Sequence, residues 1–182
     1  MSRRLLILIT GMAGSGKTTL SGIIRGKGFR VIKMGDVIRE LANQKGIDST
    51  PENIGKLASE IRKEGPDAVA RLSLEILSRM HEKIIIIDGV RSLAEVEAFK
   101  EAFNVILLAI YASPLSRFKR LTRRGRSDDP KTWEEFKARD QRELGFGIGD
   151  AVATADYLII NDDGRDQLKQ EFESLMEKIG YG

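Results

Sequence analysis

The 182-residue chain has no cysteine. A disulfide framework and a Cys-ligated metal are therefore excluded, and the composition suits a reducing cytosol. A single histidine, His81, is too few for a His-rich metal site. No apolar run approaches the roughly 20 residues of a membrane-spanning helix. Arg3-Arg4 precedes an apolar stretch, but that stretch is short and ends in a glycine-rich loop, which argues against a targeting segment. Internal repeats and low-complexity linkers are lacking. The guanine-reading pattern N-K-x-D is also missing, since Asn161-Asp162-Asp163 lacks the lysine; a signalling GTPase is disfavoured.

What remains is an ordinary globular balance, 41% hydrophobic and 31% charged. The length suits one α/β domain with a small inserted lid. The net charge of +3 is unevenly spread. Residues 117–142 carry ten Lys/Arg against five Asp/Glu, while the rest of the chain carries 20 against 22. A local basic excess points to a site for a polyanion rather than to a nucleic-acid coat.

The strongest signal is Gly11-Met12-Ala13-Gly14-Ser15-Gly16-Lys17-Thr18, a complete G-x-x-x-x-G-K-[ST] phosphate loop, with Thr19 following. The apolar run Leu5–Ile9 precedes it as a buried strand, and 18–27 follow as a helix. Glycines let the backbone curl so that N–H groups converge on phosphate oxygens, and the helix N-terminus adds positive potential. Lys17 then reaches the β- and γ-phosphates, and the Thr18 hydroxyl ligates Mg²⁺. The pattern predicts a bound nucleoside triphosphate with Mg²⁺.

Strand and helix alternate along the whole chain, the mark of a mainly parallel sheet. Expected strands are 5–9, 30–33, 83–87, 105–111 and 157–160. Ser49-Thr50-Pro51 reads as a helix start, and Gly65-Pro66 separates it from a second helix ending near Met80. Residues 36–82 are too long for a simple crossover and read as a helical insertion. Ser113-Pro114 opens a helix to about Arg124, and Trp133–Arg142 form another; 123–150 read as a lid. Trp133 and Phe136 suit lid packing, and His81 suits the surface end of a helix. The expected architecture is a P-loop NTPase with a five-stranded sheet, flanking helices, a helical insertion and a lid.

Further motifs follow the strands. Gly35-Asp36-Val37-Ile38-Arg39 resembles the G-D-x-x-R segment of adenylate kinases, whose arginine grips the acceptor phosphate. Asp88, closing the third apolar strand, suits a Mg²⁺-holding carboxylate. Asp88-Gly89-Val90-Arg91 is similar to the D-G-x-x-R of adenylate kinases, with Arg91 one residue closer, which leaves open whether Glu95 touches a base. Arg123-Arg124-Gly125-Arg126-Ser127-Asp128-Asp129, with Arg139 and Arg142, resembles the lid of uridylate/cytidylate-type kinases. There, arginines close over the transferring phosphate. Arg126 and Arg139 match best by spacing. Ala155-Asp156 to Asn161-Asp162-Asp163-Gly164 resembles the turn beside the adenine in dephospho-CoA kinases, which implies Asn161, Asp163 and Gly164 on the adenine side.

Nearly the whole chain resembles an archaeal family described as dephospho-CoA kinase-related or adenylate kinase-related proteins. Gly65-Pro66-Asp67, Asp128-Asp129-Pro130 and Leu144-Gly145-Phe146-Gly147-Ile148-Gly149 carry the likeness with the motifs above. The resemblance implies transfer of a phosphoryl group from ATP to a nucleotide-like small molecule. A nucleoside monophosphate is the first expectation and dephospho-CoA the second, with Asp36, Arg39 and Arg91 on the acceptor. An ATPase that assembles RNA–protein particles is the reading from another class.

Overall fold

Along the central strand, side chains alternate between two apolar layers, and that alternation organises the fold. The computed structural model describes residues 4–126, 129–162 and 164–180. Strand β1 (Leu5–Thr10) sends Leu6 and Leu8 to one layer and Ile7 and Ile9 to the other. Its neighbours β3 (Ile84–Asp88) and β4 (Asn104–Tyr111) pair with it in parallel register, Ile9 beside Asp88 and Leu108. The edges are β2 (Arg30–Lys33) and β5 (Tyr157–Ile160), giving the order β2-β3-β1-β4-β5 with every described pairing parallel. Both faces of such a sheet are covered, so the central strands read as continuous apolar runs.

One layer is formed by α1 (Lys17–Gly26) and α9 (Arg165–Lys178), through Leu20, Ile24, Leu168 and Phe172. The other holds α2 (Met34–Gln44), α3 (Pro51–Lys63), α4 (Ala68–Leu77) and α5 (Leu93–Lys100). Three consecutive helices, α2 to α4, fill the connection from β2 to β3, the stretch the sequence marks as an insertion. Thr50 caps α3 by accepting from Asn53 N–H at 3.2 Å, and Ser113 caps α6 (Pro114–Arg124) in the same way. The carbonyls of Leu77, the last residue of α4, and of Met80 beyond it accept from Arg4, which also lies over the Phe103 ring. His81 is exposed, as its place at the surface end of a helix predicts, and it is Arg4 rather than His81 that satisfies these carbonyls.

Two further helices, α7 (Trp133–Leu144) and α8 (Ile148–Ala153), stand beyond α6. A Thr132/Glu135 capping box starts α7. Phe118 of α6 meets Trp133 edge-on at 5.3 Å, and Trp133 stacks on Phe136 at 4.9 Å, so the tryptophan packs between helices as expected. Among the described residues no helix is long and apolar enough to cross a membrane.

Candidate active site

The C-terminal ends of β1, β3, β4 and β5 open on one edge, where the strand order reverses and ligands of such sheets gather. The loop after β1 carries Gly11, Gly14 and Gly16 at φ of 138°, 80° and 113°, values that side chains oppose. A Cβ on Gly14 would also stand 2.9 Å from the Arg117 carbonyl oxygen. Gly16 caps α1 and offers no side chain to its amides, so the helix start is left to an anion.

The loop is braced from outside. Asn161, at the end of β5, donates from Nδ2 to the Ser15 carbonyl at 2.7 Å and receives the Arg120 guanidinium on its own carbonyl at 2.7 Å. Ser15 Oγ, Asn161 Oδ1 and Arg120 Nη1 are buried without a hydrogen-bond partner, three orphaned polar atoms around one cradle. Gly164 lines the same cavity, whereas Asp163 lies outside the described residues. Lys17 Nζ folds back on the loop, donating to the carbonyls of Gly11 and, at 3.0 Å, Met12. Burial lowers its pKa, opposed by the nearby carboxylates of Glu143 and Asp88.

Thr18 and Thr19 are exposed at the start of α1 and line the cavity with Gly11, Ala13, Gly14, Gly16 and Lys17. Asp88 accepts from Ser21 Oγ at 2.6 Å, and Ser21 lies one turn after Thr18 on the same face of α1. A hydroxyl and a carboxylate oxygen brought to one helix face form a hard donor set, which fits Mg²⁺.

Two cavities meet here. The first, about 560 Å³, holds the phosphate loop, Asn161 and the arginines 120, 123 and 124. The second, about 870 Å³, lies against α2 and α3, where Arg39, Lys56, Arg62, Lys63 and Arg142 line it. Gly89, Arg91, Arg126, Arg139 and Glu143 line both. Arg39 pairs with Asp36, both exposed, and Asp36 lines neither cavity.

The arginines are held by a few acids. Asp129 accepts from Arg124 Nε at 2.8 Å and from Arg126 N–H at 3.0 Å, with Arg139 at 3.5 Å. The Arg124 hydrogen bond holds its carboxyl below the ordinary value, so this contribution is present at neutral pH and lost only as pH falls through that depressed value. Asp128 lies outside the described residues.

Glu95, whose contact with a base the sequence left open, is fully buried and committed elsewhere. It accepts from Arg91 N–H at 2.7 Å and pairs with Arg62 at 3.4 Å. Burial raises its pKa, so between the ordinary glutamate value and the raised one the folded chain binds more protons. Stability from this group therefore declines as pH rises through that window. In Glu95→Gln, urea midpoints measured across the same window should lose that slope; an unchanged slope would place its cause elsewhere.

Two residues escaped the sequence reading. Phe146, in the turn after α7, presents its ring to the guanidiniums of Arg62 and Arg91 at 5.2 and 5.9 Å. Glu143, in the last turn of α7, accepts from the loop amide of Ala13 at 3.1 Å. The Gly-rich stretch 145–149 was a signal for the first, and nothing local announced the second.

Comparison with known proteins agrees with this frame. An AAA domain family model matches residues 7–143. A UPF0200 protein of Hyperthermus butylicus is 44% identical over 179 residues, covering 98% of this chain and 96% of its own. Among solved structures, TT1252 from Thermus thermophilus superposes with a TM-score of 0.69 at 19% identity, covering 98% and 99% of the two chains. Shikimate kinase from Acinetobacter baumannii, in complex with shikimate, gives 0.65 at 17% identity, covering 99% and 96%. These likenesses support a kinase-like P-loop fold; the narrower tie to dephospho-CoA or adenylate kinases rests on the motifs alone. The chain belongs to the UPF0200 family, with a P-loop AAA domain over residues 7–143.

Proposed function

We propose that this protein is an ATP- and Mg²⁺-dependent phosphotransferase acting on a nucleotide-like small molecule, a nucleoside monophosphate first. The observation that carries this reading is the shared wall between the two cavities, in which three arginines, 91, 126 and 139, face both. Phosphoryl transfer spreads charge over equatorial oxygens between donor and acceptor, and cationic donors at that point stabilise it.

ATP supplies the phosphoryl group and Mg²⁺ neutralises its charge. Residues 11–19 hold the donor phosphates, with Lys17 on the terminal ones. Thr18 and Asp88 hold the metal, and Asn161 with Gly164 borders the nucleoside end. Arg39 and Arg91 take the acceptor phosphate. Arg126 and Arg139, on the lid of 123–150, close over the transferring group and exclude water. Eight cationic side chains, Arg91, Arg126 and Arg139 among them, line the second cavity and make it suited to an acceptor that already bears phosphate.

The test is ADP formation from MgATP across AMP, CMP, UMP, GMP, dTMP and dephospho-CoA. One acceptor should yield a phosphorylated product; slow hydrolysis indifferent to all six would instead favour the assembly-factor ATPase. Asp36 separates acceptor chemistries. A monophosphate oxygen is already ionised, so Asp36→Ala should cost less than about tenfold in kcat with such an acceptor. A loss above about 100-fold with a ribose-hydroxyl acceptor would mean that Asp36, which lines neither cavity in this structure, moves in to act as its base.

A further inference from the structure

Glu143 stands where an arriving anion would be expected. Its carboxylate is buried, 8% exposed, at the wall common to both cavities. One oxygen accepts the Ala13 N–H of the phosphate loop at 3.1 Å, and the other lies 3.8 Å from Arg139 Nε. The Lys17 ammonium lies close enough for Glu143 to be the strongest charge favouring its protonated form. A loop amide, a guanidinium and an ammonium are the three donor types that gather on a transferring phosphoryl group. Two acidic groups cannot share them, since a carboxylate and a phosphate in one cradle repel.

Position along the loop says which phosphate competes. The start of α1, with Thr18 and Thr19, belongs to the first cavity alone. Glu143 reaches the loop at Ala13 from the side facing the acceptor, where the last phosphate of the chain must lie for transfer. A diphosphate ends one group short of that point.

Resting on the nucleotide-kinase reading above, we propose that Glu143 is a built-in placeholder for the terminal phosphoryl group of a nucleoside triphosphate. It leaves Ala13 and Arg139 when that group arrives, and α7 shifts with it. The carboxylate thus makes the empty site discriminate triphosphate from diphosphate and sets α7 in motion only for the former. A plain structural tether of α7 would behave differently, because the hydrogen bond to Ala13 survives when the acid becomes an amide.

Calorimetric titration with MgADP and with a magnesium-bound, non-hydrolysable ATP analogue, on wild type and Glu143→Gln, tests this. The amide keeps an acceptor oxygen and removes the charge. The analogue should bind the variant about tenfold more tightly than wild type, the effect of one nearby like charge. ADP should change by less than about threefold, being separated from residue 143. A second reading needs no variant. Trp133 opens α7 and packs on Phe118 of α6, so in wild type the analogue should alter its fluorescence and ADP should not. Equal tightening of both nucleotides, no tightening, or the same fluorescence change with ADP overturns the placeholder and leaves nucleotide binding standing. Failure of wild type to bind either nucleotide overturns the nucleotide reading and the placeholder with it.

Discussion

Lys17→Ala should reduce acceptor-dependent ADP formation by about 10³-fold, the scale on which phosphoryl transfer loses a cation at the developing charge. Lys17 is anchored at the first position of α1, so its stem rises from the same helix end that faces the phosphates. Its ammonium now donates to the carbonyls of Gly11 and Met12. Those bonds hold the group inside the cradle, and a phosphate oxygen is a stronger partner than either carbonyl. The alanine variant leaves two loop carbonyls without their donor and takes a nearby cation from the buried carboxylates of Glu143 and Asp88, but Glu143 keeps the Ala13 amide and Arg139, and Asp88 keeps Ser21. The fold should therefore persist while kcat falls. Chromatographic quantitation of ADP, alongside a melting curve, separates the two effects. A loss of less than about tenfold in a folded variant would remove Lys17 from the transferring phosphate.

Much of this arrangement was legible in the residues. All five strands fall within one residue of the positions that apolar runs and turn signals predict, because a buried parallel strand cannot hide its composition. Helix starts at Thr50-Pro51 and Ser113-Pro114 were equally plain, since capping is a local interaction. The cradle was legible for the same reason, as its three glycines fall within one six-residue stretch, 11–16. What stayed hidden is long-range. The Ala13–Glu143 contact spans 130 positions, and Glu143 four residues after Arg139 looks like an exposed helical ion pair. Phe146 gains its guanidinium partners only because Gly147, at φ 90°, lets the chain turn from α7 into α8. Asn161 read as a neighbour of the base; its side chain is seen bracing Ser15, a pairing across 146 positions.

The same distance problem conceals the residue whose loss should destabilise the protein most. Arg117 counted in the sequence only as one of ten basic residues in a charged segment, yet it is 5% exposed. It meets Asp140 of α7 with two parallel hydrogen bonds, 2.8 and 2.6 Å. Its Nε donates to the Ala112 carbonyl at 3.2 Å, and Nη1 also reaches the Ala13 carbonyl at 3.3 Å. The guanidinium lies 4.9 Å from the centre of the Phe136 ring. One side chain thus ties β4's exit, α6, α7 and the phosphate loop together, and its forked geometry is matched to each acceptor. Arg117→Ala strands the Asp140 carboxylate and two buried carbonyls at once. The expected cost is about 3–5 kcal/mol, read from urea midpoints. Arg117→Lys should recover only part of it, since an ammonium cannot donate bidentately to Asp140 while reaching Ala112 and Ala13. Nucleotide affinity should fall in both variants, because the Ala13 carbonyl is the loop's tether to α6 on the side opposite Glu143. If Arg117→Ala cost less than about 1 kcal/mol, the pair would be no stronger than an exposed ion pair, and the bracing of the loop through α6 would be refuted.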